Sequence, residues 1–235
     1  MKLKYELKYV SLVLVSVALI FSICIYKNST FFAVKASPNI GLTIVIDPGH
    51  GGIDPGSIGR KTKVAESELN LKISNKLMNL LKSADFNVIL TRTNSDGLYG
   101  TYSSGYKKRD MLARQEIIEK SGASLAISIH MNSFTTSANR GAQVFYNTLN
   151  KNSEILAKSI QECFTKDLPE SNKGTALGDY FILKCTEIPI VLCECGYLSN
   201  PSDEALLVTD EYQEKVAYSI YKGVVSFLSV GSSAI

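Results

Sequence analysis

Three short runs rich in β-branched residues, Leu42–Ile46 (LTIVI), Asn87–Thr91 (NVILT) and Leu125–Ile129 (LAISI), are separated by longer segments of helical period. Continuous apolar runs of this length suit strands buried on both faces. Between the first two, Glu66–Leu81 sets Leu69, Ile73, Leu77 and Leu80 at intervals that share one helix face. Helices are likewise predicted over Arg109–Lys120, roughly Ser153–Lys166, and Tyr212–Leu228, where Val216, Ile220, Val224 and Leu228 form the stripe. Gln143–Tyr146, Tyr180–Lys184 and Ile190–Glu194 complete the predicted strands. Strands alternating with helices require crossover connections. The predicted fold is therefore α/β: a largely parallel, twisted sheet of about six strands with helices on both faces.

The first forty residues read differently. Lys2, Lys4 and Lys8 precede an uncharged run from Tyr9 to Tyr26, long enough to cross a bilayer as a helix. Val34-Lys35-Ala36 resembles a small-residue cleavage site. Residues 1–40 are expected to be a membrane anchor or signal peptide with a short linker, and 41–235 a single exported catalytic domain. Basic residues flanking the run place the N-terminus inside and the remainder outside. The formal net charge is only +3 and the cations are scattered, so the chain lacks the concentrated basic surface that nucleic acid requires. Five cysteines include no C-x-x-C pair. Cys193 and Cys195 share one strand face, and buried apolar filler is their expected role.

In open α/β sheets, sites form beyond the carboxyl ends of the strands. The chain has two histidines, His50 and His130, and each stands at the exit of a predicted strand. Paired imidazoles at equivalent positions suit a catalytic zinc, which takes three protein ligands and keeps a fourth position open. Glu66, Glu68, Asp47, Asp54 and Glu194 are all candidates for the third donor. Asp47 and Asp54 also suit capping of the Gly-rich loop, and either glutamate suits a helix start. Glu194 lies in an apolar strand end (VLCECGY), where an uncompensated carboxylate is costly and its pKa rises toward the range useful for proton transfer. The loop fits neither dinucleotide nor P-loop spacing: Asp54 stands where a third glycine is needed, and Gly56–Thr62 is misspaced.

Several pieces together resemble the zinc-dependent N-acetylmuramoyl-L-alanine amidases of the amidase-3 type. They are DPGHGGIDPGSIG, ESELNL at 66–71, LTR at 90–92, Arg109 with its helix, SIHMN, the Asn172-Lys173-Gly174 turn, and PIVLCECGYLSNP at 189–201. The match runs from Thr43 to Leu228 in family order. The resemblance implies hydrolysis of the amide between N-acetylmuramic acid and L-alanine in peptidoglycan. It also implies one Zn2+ held by His50, Glu66 and His130, with Glu194 as general acid/base. The family's metal glutamate precedes an Asn/Leu pair opening the first helix, which points to Glu66 over Glu68. The cysteines flanking Glu194 replace residues that are usually aliphatic or Thr.

Within that family the chain is similar to the compact sporulation- or germination-specific amidases. This implies an extracytoplasmic enzyme of the spore cortex, acting on the way to muramic-δ-lactam. The expected partners are peptidoglycan, a membrane through the N-terminal segment, and an accessory protein of unknown identity. The tyrosine-rich loop from Thr93 to Lys107 is expected either to line the substrate groove or to be a surface loop without contact. Asn132 is expected either to orient a ligand or to form a plain turn. A peptidase cutting within the stem peptide, and a wall-binding protein on an inactive scaffold, are the rival readings.

Overall fold

The computed structural model describes residues 41–231. The apolar Tyr9–Tyr26 segment, Val34-Lys35-Ala36 and Cys24 lie outside the described residues; among those described, no helix is long and apolar enough to cross a membrane. In chain order the elements are β1 (Thr43–Pro48), α1 (Glu66–Ser83), β2 (Asn87–Leu90), α2 (Tyr106–Lys120), β3 (Leu125–Asn132) and β4 (Gln143–Tyr146). There follow α3 (Lys151–Asp167), β5 (Ala176–Leu177), a 3-10 turn (Phe181–Lys184), β6 (Ile190–Tyr197), α4 (Pro201–Leu207) and α5 (Asp210–Gly231).

The six strands form one sheet in the order β2-β1-β3-β6-β4-β5. The first four are mutually parallel; β4 runs antiparallel to β6 and pairs parallel with β5. The α/β class and the largely parallel sheet agree with the sequence reading. One strand does not. Tyr180–Lys184 is mostly a 3-10 turn, with consecutive Ile182 and Leu183 both buried, and the sixth strand is instead the two-residue β5. A run as short as FILK carries no period that separates a turn from a strand.

Successive strand residues point to opposite faces, and this parity separates core from chemistry. Ile44 and Ile46, Leu125, Ile127 and Ile129, and Val191, Cys193 and Cys195 all belong to the larger core, packed against α1, α3 and α5. The other face is covered near its base by α2 and the 3-10 turn, where Val45, Ala126, Ile190 and Leu192 meet Ile118, Ile182 and Leu183. Toward the carboxyl ends the same parity delivers Asp47, Ser128 and Glu194, none of them apolar. Cys193 and Cys195 are buried free thiols, as expected for apolar filler.

Helices α3 and α5 approach closely at Gly223. A Cβ there would lie 2.5 Å from Ile160 Cα and 2.8 Å from its backbone nitrogen. Alanine is intrinsically better than glycine in a helix by about 1 kcal/mol. The collision is with backbone and cannot be relieved by a side-chain rotation. Gly223→Ala is therefore expected to destabilise by about 1–3 kcal/mol in urea titration; a stabilised variant would contradict this helix crossing.

Candidate metal centre

His50 stands two residues past β1, at the edge of the Gly-rich loop. Gly49 extends the β1–β3 pairing by donating to Ile129 O at 3.0 Å. A Cβ on Gly49 would fall 2.2 Å from His130 Nε2, so glycine is what lets that imidazole lie across the chain. His50 itself adopts a left-handed φ of 61°, a conformation that costs a non-glycine residue energy and persists where the surroundings impose it.

What imposes it is a buried polar scaffold beneath the loop. Arg114 Nη1 donates to Pro48 O and Nη2 to His50 O, at 2.8 and 2.7 Å. Arg92 donates through Nε to Pro48 O and through Nη2 to the carbonyls of Gly49 and Ser67. Asp47 balances the charge. It accepts from Arg114 Nη1 and Thr91 Oγ1, both at 2.6 Å, and from Ser128 Oγ at 2.7 Å. Burial pushes the Asp47 carboxyl up, but Arg114 and the two hydroxyls outweigh it and hold it below the usual range. Asp47 is thus no metal donor and no loop cap; it anchors the arginine that shapes the loop.

Glu66 is the first residue of α1 and is buried, whereas Glu68 is exposed. Glu66 Oε1 sits between the imidazoles, 3.2 Å from His50 Nε2 and 2.9 Å from His130 Nδ1, and accepts from Met131 N at 3.1 Å. Its second oxygen accepts from Ser57 N at 2.8 Å, tying helix to loop. The two rings are 4.9 Å apart at 76°. Asp54 Oδ2 lies 3.0 Å from His50 Nδ1, leaving Nε2 to face the other two donors, and its Oδ1 caps the loop through Gly56 N. Such outer carboxylates orient ligating histidines in metal sites.

The three groups hold one another's charges. Burial raises the Glu66 carboxyl, yet the two histidines override it and hold it far below its ordinary value. Burial opposes charge on His50, but Glu66 and then Asp54 raise its pKa to about 9. One donor atom each from His50, Glu66 and His130 lies within 4.8 Å of the others. Two imidazole nitrogens and one carboxylate oxygen are a donor set that suits a divalent metal of zinc's preference.

Glu194 stands in β6 directly opposite His130 of β3, next to a register shift between His130 and Asn132. Bulges at strand ends re-aim side chains toward sites. Its Oε2 is buried without a hydrogen-bond partner among the described residues. Burial first, then the negative charge of Glu66, raises its pKa to about 8. Two cavities open here. One, of about 310 Å³, runs from His50 and His130 past Tyr99, Tyr106 and Phe181. The other, of about 480 Å³, contains Glu194, Glu66, Ser57, Asn132 and Ser133.

Of the residues read from the sequence, the fold therefore brings His50, Glu66, His130 and Glu194 to one place and leaves Glu68 out of it, while Asp47 borders the first cavity with its carboxylate engaged by Arg114. The tyrosine-rich loop is not a free surface loop. Arg109 donates to the carbonyls of Tyr99, Thr101 and Ser104, and Tyr99 Oη accepts from Ile53 N. Sequence reasoning quoted Arg92 only within LTR and gave it no role, and it missed Arg114 and Glu204. Arg114 interrupts the apolar Met111–Ile118 face of α2, a signal of a buried ion pair. Glu204, in α4, accepts from Lys61 N, Thr62 N and Thr62 Oγ1 at 2.7–2.8 Å, clamping the loop before Glu66.

The family model for N-acetylmuramoyl-L-alanine amidases of the amidase-3 type matches residues 44–226, which contain all four of these side chains. The chain belongs to this amidase family. The germination-specific N-acetylmuramoyl-L-alanine amidase of Bacillus subtilis is 32% identical over 232 residues, covering 97% of each chain. Among solved structures, the CwlD amidase of Clostridioides difficile, in complex with the GerS lipoprotein, is 39% identical with a TM-score of 0.77. That match covers 80% of this chain and 99% of the other. The catalytic domain of the amidase CwlV from Paenibacillus polymyxa is 30% identical with a TM-score of 0.70, over 80% of this chain and 99% of its own.

Proposed function

We propose that the chain is a zinc-dependent N-acetylmuramoyl-L-alanine amidase that hydrolyses the amide between the lactyl group of muramic acid and L-alanine in peptidoglycan. One observation carries the reading: a two-imidazole, one-carboxylate donor set faces a buried glutamate on the neighbouring strand, in a chain of the amidase family. His50, Glu66 and His130 hold the ion. Zinc held there would supply a water acidified toward about pKa 7 and a Lewis acid for the amide carbonyl.

The remaining work falls to the chain's own groups. Glu194 accepts the proton of the attacking water as the oxygen adds to the lactyl carbonyl carbon. The same carboxyl then returns a proton to the departing alanine nitrogen. A carboxyl raised to about 8 holds its proton too firmly to act as a base at neutral pH. A divalent cation held by His50, Glu66 and His130 would lower that value, leaving Glu194 able both to take and to return a proton. Asp54 keeps His50 oriented, and the arginine scaffold keeps its backbone in place.

The more specific role we propose is in the spore cortex, on the way to muramic-δ-lactam, outside the cytoplasm and attached through the Tyr9–Tyr26 segment. Likeness along nearly the whole chain to a relative named germination-specific supports the cortex role. The structural relative solved with a lipoprotein supports an accessory protein here too. The test is mass spectrometry of purified peptidoglycan digested by the full chain. Intact stem peptides with a free alanine amine, and muramic acid with a free carboxyl, are expected. Cuts inside the stem peptide indicate a peptidase instead. For the cortex role, a strain lacking the protein is expected to make cortex without muramic-δ-lactam.

A further inference from the structure

Both cavities at the donor trio are rich in acids. Asp47, Asp54 and Asp110 line the first, and Asp54, Glu66 and Glu194 the second. Beside the two histidines of the donor trio, the cations against them are Arg114 and Lys107. Arg114 is spent inside the fold on Asp47, Asp110 and the carbonyls of Pro48 and His50. Lys107 is not. It lines both cavities, its side chain is 68% exposed, and among the described residues its one ionic contact is Asp54 Oδ1 at 4.0 Å. That distance is too long for a hydrogen bond, and Asp54 is already engaged by His50 Nδ1 and Gly56 N. All three ammonium protons remain available to a ligand.

The position of Lys107 also lacks a folding rationale. It lies in the first turn of α2, which contains no acidic residue and where the helix dipole disfavours cations. Arg109, in the same turn, compensates by binding five oxygens of the 99–104 loop. Lys107 binds none.

Reach completes the argument. Hydrolysis puts the scissile amide at the donor trio, and the ammonium is separated from His50 by a single carboxylate, that of Asp54. A peptide residue spans about 3.5 Å, so a carboxylate on the residue after alanine falls about 7 Å from the scissile nitrogen. This is a separation of the same order.

Resting on the amidase reading above, we propose that Lys107 is a specificity-determining residue: it pairs with a carboxylate on the stem-peptide residue that follows alanine. The enzyme then favours acidic stems over stems amidated at that residue.

The test uses the full chain and two muramoyl-L-alanyl peptides identical except for a free carboxylate or a carboxamide on the residue after alanine. Wild type is expected to favour the acid by about fivefold in kcat/KM, the scale of one solvent-accessible charge pair. The difference should lie in KM and shrink with added salt. Lys107→Met should bring the ratio close to one, and Lys107→Arg should restore it. A wild type without preference, or a Lys107→Met variant that keeps it, overturns the assignment while leaving the amidase reading intact. If mass spectrometry shows wild type cutting neither substrate at the lactyl–alanine bond, both readings fall together.

Discussion

Glu194→Gln is expected to lower amide hydrolysis by about a thousandfold while leaving metal binding in place. The substitution keeps the shape of the side chain but removes the proton acceptor, and acid–base catalysis by a positioned side chain contributes about 10²–10⁴-fold. It should also make the metal-free protein more stable, because the carboxyl titrates at about 8 in the fold against 4.5 when exposed. The folded state binds an extra proton between those values, so stability falls as pH rises across that window. At pH 8 the glutamine variant is expected to gain on the order of 3 kcal/mol over wild type without metal, and little at pH 4.5. Urea titrations at the two pH values measure this. A variant less stable than wild type at pH 8 would show that Glu194 is compensated in a way the fold does not reveal.

The second large effect is structural. Arg114→Met is expected to cost about 3–5 kcal/mol, the scale for breaking one side of a buried ion pair. The loss leaves Asp47, 1% exposed, without its ion-pair partner and the His50 carbonyl without its side-chain donor, while the Pro48 carbonyl keeps only Arg92 Nε. The pH dependence should invert. In wild type the depressed Asp47 carboxyl contributes stability above its ordinary value of 3.8, lost as pH falls through its lower folded value. In the variant Asp47 is buried and unpaired, its pKa rises, and the protein should weaken as pH increases above about 4. Adding Asp47→Asn should recover part of the loss. A cost under about 1 kcal/mol contradicts the scaffold role. Metal affinity should fall in step, by about 10–100-fold, as it does when outer supports of ligating histidines are removed.

Much of the fold was legible because burial on both faces writes itself into short β-branched runs. LTIVI, NVILT and LAISI each became a parallel strand, and the stripe Leu69–Ile73–Leu77 packs on the larger core. Short elements were not legible. Two-residue β5 is below any pattern length, and the 3-10 turn at Phe181–Lys184 mimics a strand by its apolar content. Helix α4 announced itself through Asn200, whose side chain accepts from Ser202 N and Asp203 N, followed by Pro201, yet the seven-residue span shows no stripe.

At the site, strand-exit positions marked His50 and His130 from sequence alone. The choice of Glu66 over Glu68 came only from the family resemblance, because both stand at a helix start. The fold distinguishes them by direction: Glu66 turns in between the imidazoles and Glu68 turns out to solvent. The supporting residues were hidden because their partners are distant in sequence. Arg114 reaches Asp47 across 67 positions and Glu204 reaches Thr62 across 142.

Everything above depends on His50, Glu66 and His130 closing around one cation that the reaction needs. Metal analysis of the purified full chain, run in parallel with peptidoglycan hydrolysis, addresses that most directly. One zinc per chain is expected, with activity lost on chelation, restored by zinc, and absent from Glu66→Ala together with the metal. A preparation that cleaves peptidoglycan at full rate while containing no metal, and that ignores chelators, contradicts the account.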